Sequence, residues 1–303
     1  MPARENRTLL MIAYGSLLSG YGILAERRGG ASRLVARNGF PVTLTNARRG
    51  LAKPSSHGHY LAMDLEPITA GEPIVARPAD RDATDGIGVL GLEFDREWAP
   101  LIARREEYEP AKFVELIERA DRAGQPLGEF LYAIAERTRF DLLAYRTALR
   151  EMLDYTSHGY IFHPIPFADG RIGIAAIGSG YDGSGDPAVR SKRHEYGMDR
   201  LLALPDALGV DSFELDHAGQ VGYFVECILG GSHGLAVADL AEGLDPASPL
   251  GAEVARRVGA ALPRERALFM EATSLDDAGY RRAFDAPVDE RIRTWFDDDA
   301  SGD

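Results

Sequence analysis

Cysteine is almost absent from the 303-residue sequence: Cys227 stands alone. A single thiol excludes an internal disulfide and fits a reducing compartment. It lies in the apolar run 221–229, where a structural thiol fits better than a nucleophile. The seven histidines form no metal-ligand spacing with it, so no metal is expected. Basic residues are in the minority, 34 Lys and Arg against 47 Asp and Glu, for a formal net charge of -13. Phosphate binding needs a concentrated basic face, so nucleic acid is not an expected partner. The pairs Arg27-Arg28, Arg48-Arg49, Arg104-Arg105 and Arg256-Arg257 are scattered, and each reads as part of a solvated face. Long apolar runs are missing too, and none approaches a membrane span. Arg4 and Arg7 precede apolar residues as in a secretory signal, but Tyr14, Gly15, Ser16, Ser19 and Gly20 interrupt the run early. The expectation is a cytoplasmic protein with no membrane partner.

What is present is ordinary for a globular chain: 45% apolar and 27% charged residues, enough for one large domain or two smaller ones. The most informative stretch is Leu9-Leu10-Met11-Ile12-Ala13 followed by Tyr14-Gly15-Ser16-Leu17. The apolar run predicts a buried strand that stops at the glycine. Gly15 lets the backbone bend sharply and lets a ligand approach the main chain. The N–H groups that follow, with the Ser16 hydroxyl, can converge on an anion such as a carboxylate.

The segment Ala13-Tyr14-Gly15-Ser16-Leu17 resembles the Tyr-Gly-Ser signature that opens the gamma-glutamylcyclotransferase-like family. The family's second mark is a Gly-Val-rich strand followed by a segment of the type Leu-Asp-x-x-Glu-Gly-Tyr. Here Gly86-Ile87-Gly88-Val89-Leu90-Gly91 precedes Leu101-Ile102-Ala103-Arg104-Arg105-Glu106-Glu107-Tyr108. Glu106 takes the position of the family's catalytic glutamate. Ala103 replaces the Asp and Glu107 stands where Gly is usual, which leaves Glu107 as a rival for the role. The resemblance covers roughly the first two-thirds of the chain. It implies an α+β protein built on a small mixed β-barrel.

Further along, short strands are expected at 32–36, 40–44 and 60–65, with a loop at 53–59, and the resemblance implies that the strands here carry an Arg-rich turn. Residues 66–86 read as a polar connection. Pro110 to Ala123 has helical spacing, with Phe113, Leu116, Ile117 and Ala120 on one side, and helices continue over 127–135 and 140–153. The family normally places another strand soon after the glutamate, so the resemblance implies that residues 110–155 are a helical insertion into the barrel, expected to cover one side of the pocket. A hairpin follows, 159–167 and 171–177 around Asp169-Gly170. Then come a glycine-rich loop at 178–187 and a helix at 187–204. Residues 1–205 form the expected barrel domain and 206–303 a C-terminal extension of unknown role. The extension reads as a hairpin of 212–215 with 221–229, helices at 249–262 and 276–284, and an acidic tail.

The family reaction is an intramolecular aminolysis. The α-amine of a γ-glutamyl group attacks its own γ-carbonyl, releasing an amine and 5-oxoproline. It needs one base for the α-ammonium, able to return the proton to the departing amine, and donors that hold the α-carboxylate. A carboxylate in a partly apolar pocket can do both proton transfers. By the resemblance, Glu106 is that catalytic group, and Tyr14, Gly15, Ser16 and Leu17 bind the substrate. The implied partner is a small γ-glutamyl molecule, with no cofactor required.

Two rival functions remain open at this stage. Gly230-Gly231-Ser232-His233-Gly234 has the Gly-x-Ser-x-Gly form of a nucleophile elbow, which would make the protein a serine hydrolase or acyltransferase using Ser232. No histidine follows His233, so the usual triad order is broken. The barrel can also serve as a non-catalytic ligand-binding module, and Glu107 gives that reading weight. Asp182-Gly183-Ser184-Gly185-Asp186 is spaced like a calcium loop, but Arg193 stands where a bidentate Glu is needed. His163, within a strand, reads as a satisfied core or rim histidine rather than a catalyst.

Overall fold

The computed structural model describes residues 8–24, 34–54, 61–79, 86–106, 108–154, 160–178, 217–235, 237–241, 244 and 247–284. Within them the strands are β1 (Thr8–Ala13), β2 (Asn38–Thr45), β3 (Ala47–Pro54), β4 (Leu61–Pro67), β5 (Val75–Pro78), β6 (Gly86–Asp95), β7 (Tyr160–Pro166) and β8 (Ile172–Gly178). Six of them form one sheet in the order β5-β2-β6-β1-β8-β7, and β3 pairs with β4 in a separate ribbon. The large sheet curls until its edges approach, and an isolated bridge joins Ala76 to Phe167. β1 lies in its middle, antiparallel to β6 and parallel to β8. Strands β1, β6 and β8 are covered on both faces, which is why they read as continuous apolar runs rather than as alternations.

The helices are α1 (Gly20–Leu24), α2 (Ala99–Arg105), α3 (Pro110–Arg122), α4 (Leu127–Arg137), α5 (Leu142–Leu153), α6 (His217–Leu229), α7 (Ala238–Ala241), α8 (Pro249–Thr273) and α9 (Asp277–Ala283). The architecture is mixed α+β. Helices α3 to α5 occupy the segment expected to be helical, and α3 buries Phe113, Leu116, Ile117 and Ala120. Phe113 stacks on Phe162 of β7 with ring centroids 4.1 Å apart. The predicted hairpin of β7 and β8 is present, with Gly170 in a left-handed turn conformation. Among the described residues no helix is long and apolar enough to cross a membrane.

Several expectations need correction. Residues 221–229 are helical, within α6, and not a strand of a hairpin. The run is so apolar that strand and buried helix look alike. Its less buried positions, Gly222 and Glu226, are one helical turn apart, and everything between them is packed. The helix expected to end at Leu262 runs through Pro263 to Thr273. Proline forfeits one hydrogen bond there, and the buried Glu265, Phe269 and Thr273 hold the turns beyond it. Leu34 to Ala36 are not a strand; instead the Ala36 N–H donates to the Ala272 carbonyl at 2.7 Å. The supposed polar connection contains β5, an edge strand bounded by Pro73 and Pro78, which suit an edge because they donate no ladder bond. The expected Arg-rich turn lies in β3. The calcium-like loop, the helix at 187–204, strand 212–215, Glu107 and the acidic tail lie outside the described residues.

The arginine pairs are not uniformly solvated. Arg49 is buried to the end of its side chain, and Arg48 pairs with Glu66. Arg105 donates to the carbonyls of Gly22 and Ile23 at the end of α1. Arg256 and Arg257 do sit at the surface, sharing Glu253.

Candidate functional site

β1 ends at Ala13, and the chain turns through Tyr14 and Gly15 into a 3-10 turn, Ser16–Leu18. The Leu18 N–H donates to the Gly15 carbonyl at 2.9 Å. Gly15 has φ -119°, so no left-handed conformation requires glycine there. Close approach does: a Cβ at Gly15 would lie 2.8 Å from the Tyr223 hydroxyl and 3.0 Å from Met63 Cβ. The space beside the glycine is taken by other parts of the chain.

Glu106 reaches this bend by a return path. β6 runs antiparallel to β1, so it ends beside Thr8, far from Tyr14. A 3-10 turn (Arg96–Trp98) and α2 then lead back. Six residues of strand span roughly 20 Å, and the seven of α2 recover about 10 Å of it. Glu106 stands at the end of α2, its N–H donating to the Ile102 carbonyl at 3.0 Å. The helix stops there because the Tyr108 N–H turns back to the Ala103 carbonyl at 2.8 Å.

Residues 14 to 17 and Glu106 line one hollow, together with Met63, Tyr160, Ala176 and Tyr223. All five residues singled out from the sequence therefore meet at one place. Among the described residues none of the helical segment 110–154 lines it; Tyr223 of α6, from the C-terminal part, does. The hollow has a tyrosine frame. The Tyr14 hydroxyl donates to the Ala176 carbonyl, and the Tyr160 hydroxyl donates to the Met63 carbonyl at 2.7 Å. The Met63 N–H donates to the Tyr223 hydroxyl at 2.8 Å. Burial first, and then the nearby Tyr14, Tyr223, Asp64 and Glu106, push the Tyr160 hydroxyl well above the usual phenol range, so it keeps its proton. The Lys53 ammonium lies 4.3 Å from the Tyr160 ring centroid.

Comparison with known protein families, with curated proteins and with solved structures found no match. The site is therefore characterised by its own geometry.

An arginine fixes the bend from behind. Arg49 Nη1 donates to the Tyr14 carbonyl at 3.1 Å and to the Gly88 carbonyl at 2.9 Å. Its Nε and Nη2 form a bidentate pair with Asp239 of α7, at 2.6 and 2.7 Å. Asp64, also buried, accepts the Gly178 N–H at 2.7 Å and ties the end of β8 to β4.

The sequence reading did not single out Arg49, Met63, Asp64, Tyr160 or Tyr223. A signal existed for Arg49: two residues from Ala47 in a strand, it shares that residue's inward face. Tyr223 had none, since its run was assigned to the wrong secondary structure.

Ser232 does not sit on a nucleophile elbow. It belongs to a 3-10 turn (Gly230–His233) that continues helix α6, and no strand precedes it. It is buried, and its hydroxyl donates to the Leu229 carbonyl at 2.6 Å. His233 is engaged elsewhere, 2.8 Å from Glu265 and 2.7 Å from the Tyr280 hydroxyl. The same Glu265 oxygen accepts the Gly20 N–H at 2.6 Å, so this network fastens α1 to the C-terminal helices. Cys227 is buried among apolar residues, as a structural thiol should be. His163 is a core histidine, as expected, but its ring nitrogens make no hydrogen bond of ordinary geometry among the described residues, and the Pro164 backbone only partly offsets its burial. Among the described residues no group of three His, Cys, Asp or Glu side chains is placed to hold a metal.

Proposed function

We propose that the protein is a cyclotransferase acting on a γ-glutamyl amine or peptide, with Glu106 as general acid and base. The observation that carries this reading is the shared hollow, in which a carboxylate some ninety positions away along the chain stands with the bend at 14–17. The bend at 14–17 opens a 3-10 turn, Ser16–Leu18, and main-chain N–H groups at the start of such a turn suit an α-carboxylate. The Ser16 hydroxyl adds a further polar group there. Held by its carboxylate, the substrate folds back so that its α-amine meets its γ-carbonyl.

Glu106 takes a proton from the α-ammonium, which is not nucleophilic while charged. The freed amine forms a bond to the γ-carbon. As the intermediate collapses, the original γ-C–N bond breaks, Glu106 returns its proton to the departing amine, and the surplus proton on the ring nitrogen passes to the released amine, which leaves as its ammonium ion. The products are 5-oxoproline and the amine, and the protonation state of Glu106 is restored. The chemistry requires neither a metal nor an organic cofactor. Met63, Tyr14, Tyr160 and Tyr223 line the hollow, and a substrate seated against them displaces water from its γ-carbonyl, which favours internal attack over hydrolysis.

The test is incubation with a panel of γ-glutamyl amines and peptides, each beside its α-N-acetyl counterpart, with 5-oxoproline measured by mass spectrometry. Product is expected only from compounds with a free α-amine. No product from any member of the panel sinks the proposal.

A further inference from the structure

Arg49 is buried to the end of its side chain and is not among the residues that line the hollow. It is bonded to a peptide that is. The pairing of β1 with β6 ends at Ala13 opposite Leu90, and two more steps would bring Gly15 opposite Gly88. Arg49 stands where that pairing stops, its Nη1 donating to the Tyr14 carbonyl at 3.1 Å and to the Gly88 carbonyl at 2.9 Å. The Gly15 N–H has no acceptor among the described residues. Its direction follows from the same contact. The peptide between Tyr14 and Gly15 is trans, so its N–H points opposite to its C=O. The carbonyl faces Arg49, the N–H faces away from it, and Gly15 lines the hollow. A charged donor on a carbonyl also draws electron density to that oxygen, which strengthens the N–H of the same peptide as a donor.

We infer that Arg49, held by Asp239, is a positioning residue: through the Tyr14 carbonyl it aims and polarises the Gly15 N–H, which donates to the α-carboxylate of the substrate. This rests on the proposed γ-glutamyl reading and deepens it, because a residue of β3 and an acid of α7 then set how tightly the carboxylate is held. The bidentate pair with Asp239 fixes the plane of the guanidinium, so that Nη1 stays turned toward the bend.

The test separates positioning from mere support of the fold. Either single variant leaves one charge of the pair without its partner, whereas the double variant Arg49→Met with Asp239→Leu removes both and is expected to melt close to wild type. A purely structural pair then predicts a wild-type KM. Positioning predicts a KM about tenfold higher for an active γ-glutamyl compound, the size of a hydrogen bond to a charged group, and a smaller rise for its α-carboxamide analogue. With the bond made equally in ground and transition states, kcat stays within about twofold. A wild-type KM in the folded double variant, or equal losses on both compounds, overturns the inference and leaves the cyclotransferase reading standing. If wild type forms no 5-oxoproline from any compound, that reading falls. NMR titration of isotope-labelled protein with γ-glutamylmethylamide and its α-carboxamide analogue then judges Arg49 on binding alone. A Gly15 amide proton that moves downfield with the carboxylate compound, at about tenfold weaker affinity in the double variant, supports the inference. One that does not move, or moves with equal affinity in both proteins, overturns it. Should the double variant not fold, Arg49→Lys keeps a charge beside Asp239 but cannot span the carboxylate and both carbonyls. The same selective rise in KM, or in the Kd read by NMR, supports the inference, and a wild-type value refutes it.

Discussion

His163 of β7 is 2% exposed, and its ring lies edge-on to Tyr145 at 5.0 Å. Burial pushes its pKa down from 6.5 to about 4, so the native protein holds it neutral at pH 7. Below about pH 6.5 the unfolded chain takes up a proton that the native state refuses until about pH 4. Stability is therefore lost as pH falls through that window, by about 3 kcal/mol in full. His163→Phe removes this contribution. Urea midpoints measured from pH 7 to pH 4 should fall less steeply in the variant than in wild type, and parallel curves contradict the assignment. Gly15 carries a different lesson at the same scale. Sequence alone suggests room for a ligand at a glycine, whereas here the room is filled by Tyr223 and Met63. A missing side chain marks a close approach without saying what approaches.

Among the secondary-structure elements, the ribbon of β3 and β4 does the most to shape the site. β3 supplies Arg49 to the Tyr14 carbonyl, and β4 supplies the Met63 peptide to Tyr160 and Tyr223. α7 enters through Asp239, which neutralises Arg49. Asp239→Ala leaves a buried guanidinium without its bidentate partner. Breaking such a pair costs about 2–4 kcal/mol, toward the lower side because Asp239 is 27% exposed. The loss should appear in chemical denaturation at neutral pH, and a variant as stable as wild type contradicts the role given to the pair. Elements with helical or antiparallel patterning, such as α3 and the β7–β8 hairpin, were legible in the sequence because their signals are local. β5 and α6 were not. Flanking prolines disguised the first, and the second is packed so closely that no polar face reveals its period.

Across the whole molecule, one hydrophobic core runs from β1 and β6 into α6 and α8. The C-terminal helices back the bend: a Cβ at Gly20 would lie 2.2 Å from the Phe269 nitrogen, so α1 and α8 meet backbone to backbone. Two short segments, at 14–17 and around Glu106, pointed to the hollow from sequence alone, since both are motif-like and each lies at the end of a clear element. Tyr160 and Tyr223 escaped notice because long-range pairing, which no local pattern encodes, brings them there, and alternation in β3 marks Arg49 as inward-facing without showing what it meets. The central claim is that Glu106 and the bend act on a single bound molecule. Its most direct test is the rate of 5-oxoproline formation by wild type and by Glu106→Gln on the same γ-glutamyl substrate, with both proteins shown to melt alike. Loss of a general acid and base predicts a fall of about 10²–10⁴-fold in kcat. Equal rates for the two proteins would contradict the assignment of Glu106.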